Sequence, residues 1–134
     1  MRGEDYIAII DDEPAITRLL EILIARSFEI PTKSFTDSTA ALRMLLGDAD
    51  AIRLVICDLR MPELDGLQLC RSLRRAGCRF PIVLLTAYAS EAMEVEARTM
   101  GVNEIVQKPF HPPSFIERLR SLLAPSTDLP PAAP

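Results

Sequence analysis

Residues 53–67 read RLVICDLRMPELDGL, and the fold follows from this stretch. Arg53–Cys57 is a short run rich in Val and Ile, of strand length rather than helix length. Its apolar residues are continuous rather than alternating, so a strand here has both faces covered. It ends on a carboxylate, Asp58. Met61-Pro62 and Asp65-Gly66 then turn the chain into a helical stretch that carries Leu67, Cys70 and Leu73 and closes near Gly77.

The same unit recurs on either side. Strand signals lie at Tyr6–Ile10, Ile30–Ser34, Pro81–Leu85 and Asn103–Val106. The first helical stretch places Ala15, Ile16, Leu19, Leu20, Leu23 and Ile24 on one face. The second opens at Asp37, a natural N-cap, and stops at Gly47. The fourth holds Ala89, Ala92, Met93, Ala97 and Met100 and ends at Gly101. The fifth starts with Pro112 and Pro113, which suit a first helical turn, and buries Phe115, Ile116, Leu119, Leu122 and Leu123. Strands 1, 3 and 4 are all continuous apolar runs. Five strand–helix units with such strands predict an α/β fold, a doubly wound five-stranded parallel sheet with five helices. Pattern alone leaves the strand order open.

At 134 residues the chain has room for one ordinary domain. It is 49% hydrophobic and 25% charged, which is the balance of a globular protein. A net charge of -4 makes it a poor binder of nucleic-acid backbones. No apolar run approaches a membrane span, and the N-terminal run is too short for a signal peptide. Cys57, Cys70 and Cys78 have no metal-ligand spacing and read as small buried hydrophobes in a reducing compartment. The expected location is cytoplasmic. Residues 124–134, APSTDLPPAAP, end the apolar pattern. They read as a proline-rich tail or the start of an interdomain linker, leaving 1–123 as the domain.

In a parallel α/β sheet, ligands bind at the carboxyl ends of the strands. Strand 1 ends in Asp11-Asp12-Glu13, strand 3 in Asp58, strand 4 in Thr86 and strand 5 in Lys108-Pro109. Taken singly, each has a bland explanation as cap, turn residue or solvated cation. Together they gather carboxylates, and two carboxylates about 4 Å apart repel by about 4 kcal/mol at an effective dielectric of 20. A cation in the cluster removes that cost. Oxygen ligands of this kind suit Mg²⁺, and no His or Cys stands at these ends to favour zinc or copper. A carboxylate beside Mg²⁺, with a lysine and a hydroxyl opposite, is an arrangement for phosphoryl transfer.

The sequence resembles the receiver domains of two-component response regulators, the CheY-like family. The matching segments are IAIIDDEP at 7–14, LVICDLRMPELDGL at 54–67, IVLLTAYAS at 82–90 and VQKPF at 106–110, spread over residues 5–123. The resemblance implies the flavodoxin-like strand order 2-1-3-4-5. It implies that Asp58 is the phospho-acceptor, taking a phosphoryl group from the phospho-His of a histidine kinase or phosphotransfer protein. Asp11 and Asp12 become the acidic Mg²⁺ site, with Asp12 the preferred direct ligand, joined by Asp58 and the backbone carbonyl of Arg60. Thr86 becomes the switch hydroxyl, Lys108 the ion-pairing lysine, and Lys108–Pro109 a cis bond. The face of helix 4, strand 5 and helix 5 would carry the signal to a C-terminal output domain, to an effector protein or into a homodimer. Such a domain is not an enzyme beyond its own phosphorylation and dephosphorylation. It touches neither nucleic acid nor membrane. Arg60 and Tyr88 fall at variable positions that modulate hydrolysis of the acyl phosphate. Where the family has Tyr or Phe, three residues before the lysine, this chain has Ile105.

Three other readings compete. A haloacid dehalogenase-type hydrolase needs a second Asp where Arg60 stands. A flavodoxin needs a hydroxyl-rich loop after strand 1, which is acidic here, and aromatic residues to stack on the flavin. A degenerate receiver, used as a phosphorylation-independent interaction module, would have lost acid, Thr or Lys positions that this chain keeps. His111, the single histidine, reads as a cap or surface residue at a helix start, and Arg71, Arg74 and Arg75 as a solvated helical face.

Overall fold

The computed structural model describes residues 4–124, so most of the proline-rich segment lies outside it. Strand and helix alternate along this stretch: β1 (Tyr6–Ile10), α1 (Pro14–Ser27), β2 (Thr32–Phe35), α2 (Ser38–Gly47), β3 (Ile52–Asp58), α3 (Gly66–Arg75), β4 (Ile82–Thr86), α4 (Glu91–Thr99), β5 (Glu104–Gln107) and α5 (Pro112–Leu123). The strands form one parallel sheet in the order 2-1-3-4-5. The three continuous apolar strands are therefore the three central ones, as burial on both faces demands.

Side-chain parity sorts the core into two layers. Ile7 and Ile9 of β1, Leu54 and Ile56 of β3, and Val83 and Leu85 of β4 pack with Leu20 and Ile24 of α1 and with Phe115, Ile116 and Leu119 of α5. The alternate residues, Ala8, Ile10, Val55, Cys57, Ile82 and Leu84, pack against Ala41 and Leu45 of α2, Leu69 and Leu73 of α3, and Ala97 of α4. All three cysteines are free and buried, as expected. Among the described residues no helix is long and apolar enough to cross a membrane.

Several boundaries differ from the sequence reading. β2 begins at Thr32 rather than Ile30. Pro31 has no N–H to donate, and its carbonyl instead accepts the N–H of Ile7 at 2.9 Å. β3 and β4 each run one residue further, so Asp58 and Thr86 sit inside the ladder, paired with Leu85 and Gln107. On α1 the buried line is Thr17, Leu20 and Ile24, while Leu19 and Ile22 are about half exposed. Thr17 can be buried because its hydroxyl donates to the Pro14 carbonyl at 2.9 Å. Asp37 caps α2 through the N–H groups of Thr39 and Ala40. His111 caps α5, its Nδ1 accepting from the Ser114 N–H.

Gly77 and Gly101 take positive φ just past α3 and α4. In both places the next two N–H groups fold back on the last helical turn, Gly77 to Arg74 and Cys78 to Leu73, Gly101 to Arg98 and Val102 to Ala97. Arg74 joins these two ends. Its guanidinium donates to the carbonyls of Gly101 and Cys78 and to Asn103 Oδ1, which also accepts the N–H of Ile82. It is a structural clamp at the amino edge of the sheet, in contrast to the solvated face expected from sequence. Arg71 and Arg75 are exposed. Arg74→Met should cost about 1–3 kcal/mol by leaving these acceptors unpaired, whereas Arg75→Met should stay within about 0.5 kcal/mol of the parent. Urea unfolding of both variants checks this, and equal losses would refute the clamp.

Candidate functional site

The carboxyl edge of the sheet is tied together by its backbone before any side chain acts. The N–H of Asp11 bonds the Phe35 carbonyl at 3.0 Å, that of Leu59 the Leu85 carbonyl at 2.8 Å, and that of Lys108 the Thr86 carbonyl at 2.7 Å. Asp11, Asp58, Thr86 and Lys108 thus stand on neighbouring strand ends. The side chains of Asp11, Asp58 and Lys108 meet there.

Asp11 Oδ1 accepts the N–H of Glu13 at 2.9 Å, which is the helix-start role any Asp could play here. Capping accounts for that oxygen only. Oδ2 is fully buried and has no hydrogen-bond partner; the Lys108 Nζ stands off at 3.6 Å. Lys108 is committed instead to Asp58, Nζ to Oδ1 at 2.8 Å. Asp12 is exposed beside them. One oxygen each from Asp11, Asp12 and Asp58 lie within 4.8 Å of one another.

Burial pushes the Asp11 carboxyl above its ordinary range, and the charges of Asp58 and Asp12 add to this; the Glu13 N–H and Lys108 oppose it. Burial pulls Lys108 down, but its hydrogen bond to Asp58 and the charges of Asp58 and Asp11 outweigh that, and the net direction is up. One ammonium therefore faces two buried carboxylates, Asp58 closely and Asp11 at a distance, with Asp12 exposed beside them. The orphaned Oδ2 and the all-oxygen donor set fit a hard divalent cation such as Mg²⁺. The nearby Cys57 thiol is fully buried, which holds its pKa well above the usual value, so it is not a competing soft ligand.

Thr86 is buried, and its hydroxyl is fully used. It accepts the N–H of Tyr88 at 3.1 Å and donates to the Tyr88 carbonyl at 3.1 Å. On the other side of Asp58, α3 begins with a capping box between Asp65 and Gln68. Gly66, its first residue, was read from sequence only as part of a turn. A Cβ there would lie 2.6 Å from the Asp58 carbonyl oxygen and 2.8 Å from Leu84 Cδ2. The helix start is thus pressed against the backbone of Asp58, and the Asp-Gly pair was the available signal. Lys108–Pro109 is cis, as expected.

The response regulator receiver domain family matches residues 7–120, and the chain belongs to that family. It is a CheY-like signalling receiver domain of two-component systems. Among its relatives, the alkaline phosphatase synthesis transcriptional regulatory protein PhoP of Bacillus subtilis is 32% identical over 130 residues, covering 92% of this chain and 52% of that protein. The transcriptional regulatory protein SrrA of Staphylococcus aureus is 36% identical over 118 residues, covering 87% and 47%. The chain spans about half the length of these relatives. The receiver domain of the Francisella response regulator 1452 superposes with a TM-score of 0.80 at 25% identity, covering 90% of this chain and 97% of that one. Receiver domains bind Mg²⁺ at an acidic pocket, and the three carboxylates form one here.

Two substitutions test this geometry. Asp11→Asn keeps an acceptor for Glu13 and removes a buried charge whose Oδ2 has no hydrogen bond. Stability without metal should rise by about 1 kcal/mol, and the stabilisation by added Mg²⁺ should vanish. Calorimetry with and without Mg²⁺ reads both; a metal-free loss would count against the crowded-carboxylate picture. Gly66→Ala should cost about 1–3 kcal/mol through overpacking against Asp58 and Leu84, read as a lower midpoint in urea.

Proposed function

We propose that residues 1–123 form a phospho-acceptor switch and that 124–134 begin a tail or a linker to an output domain. Asp58 is the acceptor, Thr86 the switch hydroxyl and Lys108 the charge-pairing lysine. Asp11, Asp12, Asp58 and the carbonyl of Arg60 hold Mg²⁺, with Asp12 as a direct ligand. The observation that carries this reading is the pairing of Lys108 with Asp58 at 2.8 Å beside the orphaned Asp11 oxygen. Lys108 also lies 3.6 Å from Asp11 Oδ2, too far to hydrogen-bond it, so a buried carboxylate oxygen keeps a coordination site that a cation could fill.

The chemistry follows from those atoms. A carboxylate oxygen of Asp58 attacks the phosphorus of a phospho-His on a histidine kinase or phosphotransfer protein. A P–O bond forms, the P–N bond breaks, and the electron pair returns to the imidazole. Lys108 holds the attacking carboxylate in place and then faces the new anionic oxygens. A bound Mg²⁺ would supply neutralising charge for the phosphoryl oxygens. The product carries about 1.5 to 2 negative charges on its phosphoryl oxygens in place of the single charge of the Asp58 carboxylate, a net gain of roughly one.

Thr86 converts this into a change of shape. Its hydroxyl has one hydrogen and two claimants, the Tyr88 carbonyl and a phosphoryl oxygen. Donation to the phosphoryl group releases the turn after β4, and that difference between states is what can shift an equilibrium. The shift passes through α4, β5 and α5 to an output domain, to an effector or to a second copy. Ile105 is half-buried there against the core, and it has neither a ring to swing nor a hydroxyl. The domain acts in the cytoplasm and catalyses only its own phosphorylation and dephosphorylation. The alternative reading, an interaction module indifferent to phosphorylation, has no observation in its favour.

Labelling by acetyl phosphate should require Mg²⁺ and should be lost in Asp58→Asn; full stoichiometry in that variant would overturn the assignment. Thr86→Ala should still accept phosphate but lose much of the difference in self-association or partner binding made by beryllofluoride. Ile105→Ala should keep most of that difference. Sedimentation with and without beryllofluoride measures it, and its loss in Ile105→Ala would make this position the relay.

A further inference from the structure

Tyr88 is three-quarters exposed, the most exposed of the large hydrophobic side chains among the described residues. Its main chain is gripped on both sides by the Thr86 hydroxyl, at 3.1 Å each. The next residue, Ala89, donates its N–H to Gln107 Oε1 at a long 3.4 Å. Ala89 also forms part of the wall of a recess of about 300 Å³ between α4, β5 and α5. Ile105 and Phe115 give this recess apolar surface, and Glu94, Gln107 and Arg118 give it polar groups. A tyrosine has the matching character, an apolar ring with a hydroxyl that needs a partner when buried.

We infer that Tyr88 is the mobile aromatic of this switch, held in water by Thr86 and released into the recess beside Ile105 when Asp58 is phosphorylated. The inference rests on the phospho-acceptor reading above. In the present state the grip on the Tyr88 N–H and carbonyl fixes where its Cα can go. Once Thr86 donates elsewhere, the grip on the Tyr88 carbonyl is lost, and what remains is the N–H bond of Tyr88 to Thr86 Oγ1, which can follow the hydroxyl, and a weak one at Ala89. Apolar burial then favours moving the ring inward. The recess at Ile105 lacks the bulk of an aromatic side chain, and the missing bulk arrives from the neighbouring loop. In its new place the ring would cover the α4–β5 seam and remove an exposed aromatic from the solvent, altering one surface in two ways.

The protein offers its own probe. It has no Trp and two tyrosines, and the other, Tyr6, is 1% exposed with its hydroxyl bonded to Asp48. Acrylamide quenching of tyrosine emission therefore reports Tyr88 over a constant background. Beryllofluoride with Mg²⁺ should lower the quenching constant about threefold, following loss of the 75% exposure. Thr86→Ala should show the lowered constant without beryllofluoride, since the grip is gone. Ile105→Phe fills the recess and should hold the constant high in both conditions while Asp58 still takes phosphate from acetyl phosphate. Phosphate incorporation with unchanged quenching in the parent protein overturns the inference and leaves the phospho-acceptor reading standing. Failure of incorporation overturns both.

Discussion

The charge balance at the carboxyl edge of the sheet sets the terms for everything else in this molecule. Three carboxylates have oxygens within 4.8 Å of one another, and one ammonium is shared between two of them, Asp58 and Asp11. The ammonium sides with Asp58, and Asp11 is left with a buried oxygen that nothing satisfies. A fold can carry such a deficit only if the rest of it is well packed, and here the two core layers bury β1, β3 and β4 almost completely. The deficit is local, and it is what a cation and a phosphoryl group would exploit. Stability and chemistry are drawn from different parts of one sheet.

The amino edge shows the opposite economy. Arg74 meets carbonyls from two helix ends and the side chain of Asn103, and that amide oxygen also secures the start of β4. Each nitrogen of the Arg74 guanidinium has an acceptor there. The two glycines with positive φ let the helix ends close tightly enough for one guanidinium to reach both. The well-paired edge lies opposite the edge that carries the under-satisfied acids.

Much of this was legible in the sequence, for physical reasons that differ by residue. The central strands declared themselves because burial on both faces forbids polar side chains. Asp11, Asp58 and Thr86 stood out as candidates because each lies at the carboxyl end of such a strand, whereas Lys108 follows the edge strand β5 and drew notice as one of only two lysines. The strand order could not be read from periodicity, since every βα unit has the same pattern; the family resemblance supplied it. Arg74 was misread because a guanidinium bound to carbonyls leaves no mark in sequence that separates it from Arg71 and Arg75. On α1 the buried line shifted toward Thr17 because a threonine can satisfy its own hydroxyl on the preceding turn. The role of Gly66 lay in an approach of backbone to backbone, which only coordinates reveal. The commitment of the Thr86 hydroxyl to Tyr88 is likewise a matter of geometry.

The parity of the central strands has a consequence for how such a chain can vary in length. A one-residue deletion inside β1 would exchange the layer of Ile7 and Ile9 with that of Ala8 and Ile10. It would also draw Asp11 back into the ladder and away from Asp58. The core and the acid cluster are thus read in the same frame, and no slip in β1, β3 or β4 can damage one and spare the other. At β2, a short edge strand with partly exposed side chains, the frame is looser, whereas β5 is tied through Lys108 to Thr86 and Asp58. Insertions compatible with a working receiver belong at β2 and in the connections on the amino side of the sheet.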